Sequence, residues 1–151
     1  MNQITTQYVT ENGACYEQYV ITDPAAKTSL TITPERGGMI TGFTLDGDEY
    51  IWTRRPNFSE CNRPRFGVPV LFPSCGNPDG GVHNFDGKAY PMETHGFADL
   101  CGWDVESVGP DGVTLALEST PLTKFLYPFD FTLLVNYNLE GNKAAISLTV
   151  I

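Results

Sequence analysis

Apolar and polar residues alternate with a period of two over much of the chain. Phe129, Phe131, Leu133, Val135 and Tyr137 are interleaved with Asp130, Thr132 and Asn136, with Leu134 the one exception. Val113, Leu115 and Leu117 alternate with Thr114, Ala116 and Glu118. Ile146, Leu148 and Val150 alternate with Ala145, Ser147 and Thr149, and Leu30 and Ile32 with Ser29, Thr31 and Thr33. A period of two places alternate side chains on opposite faces of a strand, so each run predicts a strand with one buried face. Turn signals separate the runs: Asp46-Gly47, Asp86-Gly87, Pro110-Asp111-Gly112 and Glu140-Gly141-Asn142. No ten-residue window carries an apolar stripe at the helical period. The pattern predicts an all-β fold of antiparallel sheets packed face to face as a sandwich.

Asn57 to Asp99 breaks the alternation. Gly and Pro are dense there, from Pro64 and Gly67 through Pro73, Gly76 and Pro78 to Pro91 and Gly96. A long irregular segment inside a compact domain is usually functional. This one also holds both histidines, His83 and His95. It is expected to line a shallow concave surface on a sheet, with His95 pointing into it. The last alternating run stops on apolar Ile151 without a polar tail, which reads as a strand cut within a larger sandwich or as a strand ending at the terminus.

Composition narrows the class. The chain has 151 residues, 41% hydrophobic and 18% charged, too apolar for a disordered chain. No apolar run is long enough for a membrane span, and the polar first ten residues do not read as a secretory leader. Cys15, Cys61, Cys75 and Cys101 are scattered and read as reduced thiols of a cytoplasmic protein. The net charge of −9 disfavours nucleic acid and anionic membranes as partners. That charge is uneven. Four of the five arginines, Arg54, Arg55, Arg63 and Arg65, lie within twelve residues. The island reads as a binding site for a polar ligand or as a set of ion pairs with surrounding acids.

Candidate chemistry is sparse. Two histidines and four scattered cysteines do not supply a metal site, and none is expected. No Gly-x-Ser-x-Gly elbow surrounds a serine, and Asn77-Pro78-Asp79-Gly80-Gly81 lacks the lysine and helix of a phosphate loop. His95 stands before Gly96, which lets a ligand approach the backbone beside an imidazole able to give or take a proton near neutral pH. A lone histidine is more often structural. His83, just before Asp86-Gly87, reads as a solvated loop residue.

The order of segments is more specific than any one of them. Gly67-Val68-Pro69-Val70-Leu71-Phe72-Pro73-Ser74-Cys75-Gly76-Asn77 precedes a short hairpin from Phe85 to Tyr90. Pro91-Met92, His95-Gly96-Phe97-Ala98 and Trp103-Asp104-Val105 follow. Thr33 to Ile40 fits the same series as an early strand, Glu49-Tyr50-Ile51-Trp52 as the strand before the arginines, and Tyr127-Pro128-Phe129-Asp130-Phe131 as a later segment. This arrangement resembles the aldose 1-epimerase, or galactose mutarotase-like, family, most nearly its hexose-6-phosphate mutarotase branch, over essentially the whole chain.

The resemblance implies a galactose mutarotase-like β-sandwich, with residues 1–151 as the N-terminal half of the domain. It implies interconversion of the α and β anomers of a free aldose or related sugar, without a cofactor. One group removes the anomeric hydroxyl proton while another protonates the ring oxygen, the ring opens, and it closes on its other face. In the family the base is a glutamate far along the chain and the acid a histidine in a second downstream motif. Neither has a counterpart here. His95 matches the histidine that holds and polarises the sugar. Arg54, Arg55, Arg63, Arg65 and Asn77 are the candidates for binding sugar hydroxyls. Asp99 stands where phosphate-handling members carry arginine, and a carboxylate there opposes a phosphate. The alternatives are a carbohydrate-binding remnant without turnover and an unrelated sandwich used for interactions. An incomplete sandwich would also expose strand edges through which copies associate.

Overall fold

The computed structural model describes residues 1–53, 57–59, 63, 65–110 and 112–151. Eleven strands and one short helix occur among them: β1 (Gln3–Glu11), β2 (Ala14–Asp23), β3 (Thr28–Thr33), β4 (Met39–Leu45), β5 (Asp48–Glu49), β6 (Val82–Phe85), β7 (Lys88–Pro91), β8 (Asp104–Gly109), β9 (Gly112–Glu118), α1 (Pro121–Lys124), β10 (Thr132–Glu140) and β11 (Lys143–Val150). They form a five-stranded sheet β1-β2-β3-β4-β5, a four-stranded sheet β11-β10-β9-β8 and the separate hairpin β6-β7. All strand pairs are antiparallel.

The core lies between the two large sheets. Ile21, Leu30, Ile32 and Ile40 of the first meet Val113, Leu115, Leu133, Val135 and Tyr137 of the second. Apart from Ile21 and Ile40, these are the inward positions of the alternating runs, and all are at most 3% exposed. The Tyr137 hydroxyl donates to the Gly38 carbonyl at 2.6 Å, which satisfies the one polar atom that this ring carries into the core. Burial pushes the phenol well above its usual range. A second, smaller core of Met39, Phe58 and Phe66 sits with Val9 and Tyr16.

Three expectations need correction. The Glu49–Trp52 strand shrinks to Asp48–Glu49; Tyr50 and Trp52 are exposed. Thr33 to Ile40 is a strand end, a turn, and a strand restarting at Met39. The β11 run alternates but is not buried: Ile146, Leu148 and Val150 are 51–56% exposed. They share the core-facing side with Tyr137, Val135 and Leu133, their cross-strand partners. β11 is the last strand of its sheet, and its apolar row extends past the edge of the core.

The irregular stretch is moored to the sandwich by aromatic contacts. Phe72 lies 4.9 Å from Phe131 and 5.6 Å from Tyr127 between ring centroids. From the hairpin, Phe85 packs edge-on against Tyr127 and Phe129. Val68 bridges Ile40 of β4, and Phe72 bridges Gly96. Beyond Gly96, a single 3-10 turn at Ala98–Leu100 leads to Trp103, which is 4% exposed and whose indole N–H donates to the Ala98 carbonyl. The Trp103 amide donates in turn to Pro34 O in the β3–β4 turn. Loop residues 95–103 are thus fastened to the β3–β4 turn.

Candidate functional site

A cavity of about 960 Å³ opens within the irregular stretch. Its wall includes Arg63, Arg65, Asn77, Glu93, Thr94, His95 and Asp99. The sequence reading placed this surface on a sheet. None of the described lining residues belongs to a strand; turns and short connections carry them.

His95 is half-buried and sits at φ +70, in the left-handed region that side chains other than glycine seldom adopt. Its amide donates to Gly76 O at 2.9 Å, and the Gly76 amide donates to His95 Nδ1 at 2.9 Å. A nitrogen that accepts carries no proton, so the neutral ring holds its proton on Nε2. The next residue is also left-handed, with Gly96 at φ +77. A Cβ there would meet Phe72 O at 2.2 Å, so only glycine fits. The Phe72 carbonyl accepts from the Phe97 and Ala98 amides, which fixes the chain just after the turn.

Arg63 and Asp99 form the main charged contact of the wall. Arg63 Nη1 lies 2.6 Å from both carboxylate oxygens, and Nη2 donates to Gly96 O at 2.7 Å. The Asp99 side chain is 2% exposed and that of Arg63 18%. Burial pushes the Asp99 carboxyl above the usual carboxylate range, with the Arg63 charge and hydrogen bond acting against it. Glu93 stands at the solvent side, 3.6 Å from Arg63 Nη2. The Thr94 hydroxyl donates to Asn77 Oδ1, joining two further wall residues. Arg65 is exposed and lines the cavity as well.

Four of the sequence candidates, His95, Arg63, Arg65 and Asn77, therefore share one cavity. Arg54 and Arg55 lie outside the described residues, as does Cys61. His83 is not a loop residue: it belongs to β6, half-buried, with its ring edge-on to Phe85 at 5.9 Å. Cys15, Cys75 and Cys101 are free thiols, and burial raises that of Cys101, with the Asp99 charge adding to the effect. Among the described residues, no group of three or more His, Cys, Asp or Glu could hold a metal ion. No helix there is long and apolar enough to cross a membrane. Glu93, Thr94 and Asp99 were not among the sequence candidates for sugar contact. The Glu93-Thr94-His95 continuity was the available signal for the first two; Asp99 was read only for its charge.

The sequence model of the aldose 1-epimerase family matches residues 17–151. The chain belongs to the aldose 1-epimerase family. Solved structures agree with that assignment. The Slr1438 protein of Synechocystis is 29% identical, with a TM-score of 0.84 over 99% of this chain and 52% of its own. A galactose mutarotase related enzyme from Lactobacillus acidophilus is 27% identical, with a TM-score of 0.77 over 89% of this chain and 43% of its own. A galactose mutarotase-like protein from Lactobacillus casei is 26% identical, with a TM-score of 0.72 over 97% of this chain and 44% of its own. This aldose 1-epimerase family chain thus spans about half the length of the structures it matches. No curated protein matches the sequence significantly.

Proposed function

We propose that this chain carries the sugar-holding half of a mutarotase site, acting on the anomers of an uncharged aldose, and that residues 1–151 correspond to the N-terminal half of the family domain. The observation that carries the reading is His95: its Nδ1 is occupied by the Gly76 amide, so its Nε2–H is the remaining donor, on the wall of a cavity with room for a sugar. A donor of this kind binds a sugar oxygen and stabilises the negative charge that grows there as the anomeric bond rearranges. Asn77, Thr94 and Arg65 add groups suited to hydroxyls. Among the described wall residues, Arg63 and Arg65 are balanced by Glu93 and Asp99, which favours a neutral sugar over a sugar phosphate.

Mutarotation needs two proton transfers, each contributing about 10²–10⁴-fold. His95 can serve one oxygen and not both. Asp99 is engaged by Arg63, so Glu93, with an 83% exposed side chain, is the carboxylate of the wall that remains open to solvent. This favours a second reading, in which the chain alone binds sugar without turnover. Polarimetry with freshly dissolved α-D-glucose and α-D-galactose separates the two. The 151-residue chain is expected to bind aldoses weakly and to accelerate mutarotation little, while a longer product of the same gene turns over and loses rate on His95→Asn. A short chain working at full rate would make Glu93 the base. Absence of binding by either product would overturn the sugar assignment.

A further inference from the structure

We infer that Arg63 is a positioning residue and not a sugar ligand: paired with Asp99, it braces the left-handed His95–Gly96 turn and thereby fixes which imidazole nitrogen carries the proton. The consequence for sugar rests on the mutarotase reading; the brace itself does not. Both terminal nitrogens of Arg63 already have acceptors, Nη1 in the two Asp99 oxygens and Nη2 in the Gly96 carbonyl. The side chain is 18% exposed, and its partner carboxylate 2%. A fork committed in this way has little left for a sugar hydroxyl, and releasing it would strand a buried carboxylate.

The acceptor at Gly96 is what makes the brace matter. Of two successive residues at positive φ, His95 at +70 and Gly96 at +77, only the histidine is strained; a non-glycine in that region costs about 1–3 kcal/mol and persists only where its surroundings hold it. Phe72 lies against the Gly96 backbone and holds the chain on one side of the turn. Gly96 N donates to Glu93 O within the turn, and His95 shares its two bonds with Gly76. Among the described residues, Arg63 contributes the one side-chain bond to this turn's backbone, from 33 residues away. Asp99, a few residues on, orients the guanidinium so that Nη2 meets the Gly96 carbonyl. If the turn relaxes, the imidazole loses its register against the Gly76 amide, and with it the constraint that keeps the proton on Nε2. Arginine suits the task because its planar fork serves a carboxylate and a carbonyl together; lysine is a single point charge.

The test reads the histidine directly. Long-range ¹H–¹⁵N NMR of the imidazoles reports the tautomer, and His83 is an internal control. The wild-type chain is expected to show His95 held as the Nε2–H tautomer. Arg63→Met and Arg63→Lys should both convert it to a mixture while His83 is unmoved. Should a single substitution fail to fold, the double change Arg63→Met with Asp99→Leu replaces the buried pair by apolar groups, a replacement commonly tolerated in stability, and should show the same mixture. In a sugar-binding product the misplaced donor should weaken aldose affinity by up to about tenfold. Folded variants in which His95 keeps its wild-type tautomer overturn the inference. So does a loss of sugar affinity with an unchanged His95 spectrum, since Arg63 would then be a ligand. The spectra are taken without sugar, so failure of the wild-type chain to bind aldoses overturns the mutarotase reading alone.

Discussion

At the residue scale, two positions concentrate the constraints. Gly96 combines a left-handed backbone with a carbonyl 2.2 Å from where a Cβ would stand. Gly96→Ala is therefore expected to destabilise the chain by on the order of 3 kcal/mol, read as a lower urea midpoint with an unchanged slope. Tyr137 is the second. Its folded phenol titrates above the ordinary value of about 10, because burial penalises the phenolate. The folded state then retains the proton where the unfolded chain has lost it. Its contribution is fully present below about pH 10 and is lost as the pH rises further. Urea midpoints measured from pH 8 to 11 should fall in the wild type and fall less in Tyr137→Phe. That variant also begins about 1 kcal/mol lower for want of the bond to Gly38.

At the scale of elements, alternation made β3, β9, β10 and β11 readable, since each places apolar residues on one side only. β1 and β2 were not readable in this way. β1 carries Thr5 and Gln7 on one face and Tyr8 on the other to solvent, and β2 buries Gln18, which hydrogen-bonds to Thr33 and Thr41. The usable signal was Asn12-Gly13, which joins the two strands with φ of +50 and +81. Gly13→Ala should cost about 1 kcal/mol through backbone strain alone, since nothing lies within 4 Å of the added carbon. Differential scanning calorimetry of this variant would show a lower melting temperature with the site unaffected. The Gly and Pro density marked residues 57–99 as irregular, and among the described residues of that stretch only β6 and β7 are strands. It could not show that Asp99 pairs with Arg63 across 36 positions, because that contact depends on how the loop folds back over itself. The sequence reading set the Asp99 charge against a phosphate; the structure sets it first against an arginine.

At the scale of the whole molecule, the row of Ile146, Leu148 and Val150 lies half exposed beside the open edge of β11. Covering such a row is favourable by about 25 cal/mol per Å² of apolar surface, and an unpaired edge invites another strand. The 151-residue chain is expected to self-associate in a concentration-dependent way, and Leu148→Lys should shift it toward monomer in sedimentation velocity. A wild type that stays monomeric at all concentrations would contradict this. The placing of the two tryptophans has a different consequence. Trp52 is 65% exposed, whereas Trp103 is buried against the very segment that carries His95 and Asp99. Their fluorescence therefore divides by location: Trp52 emits from water, Trp103 from an apolar enclosure. With Trp52→Phe the remaining emission becomes an optical gauge of the loop beneath the cavity, and it needs no attached dye.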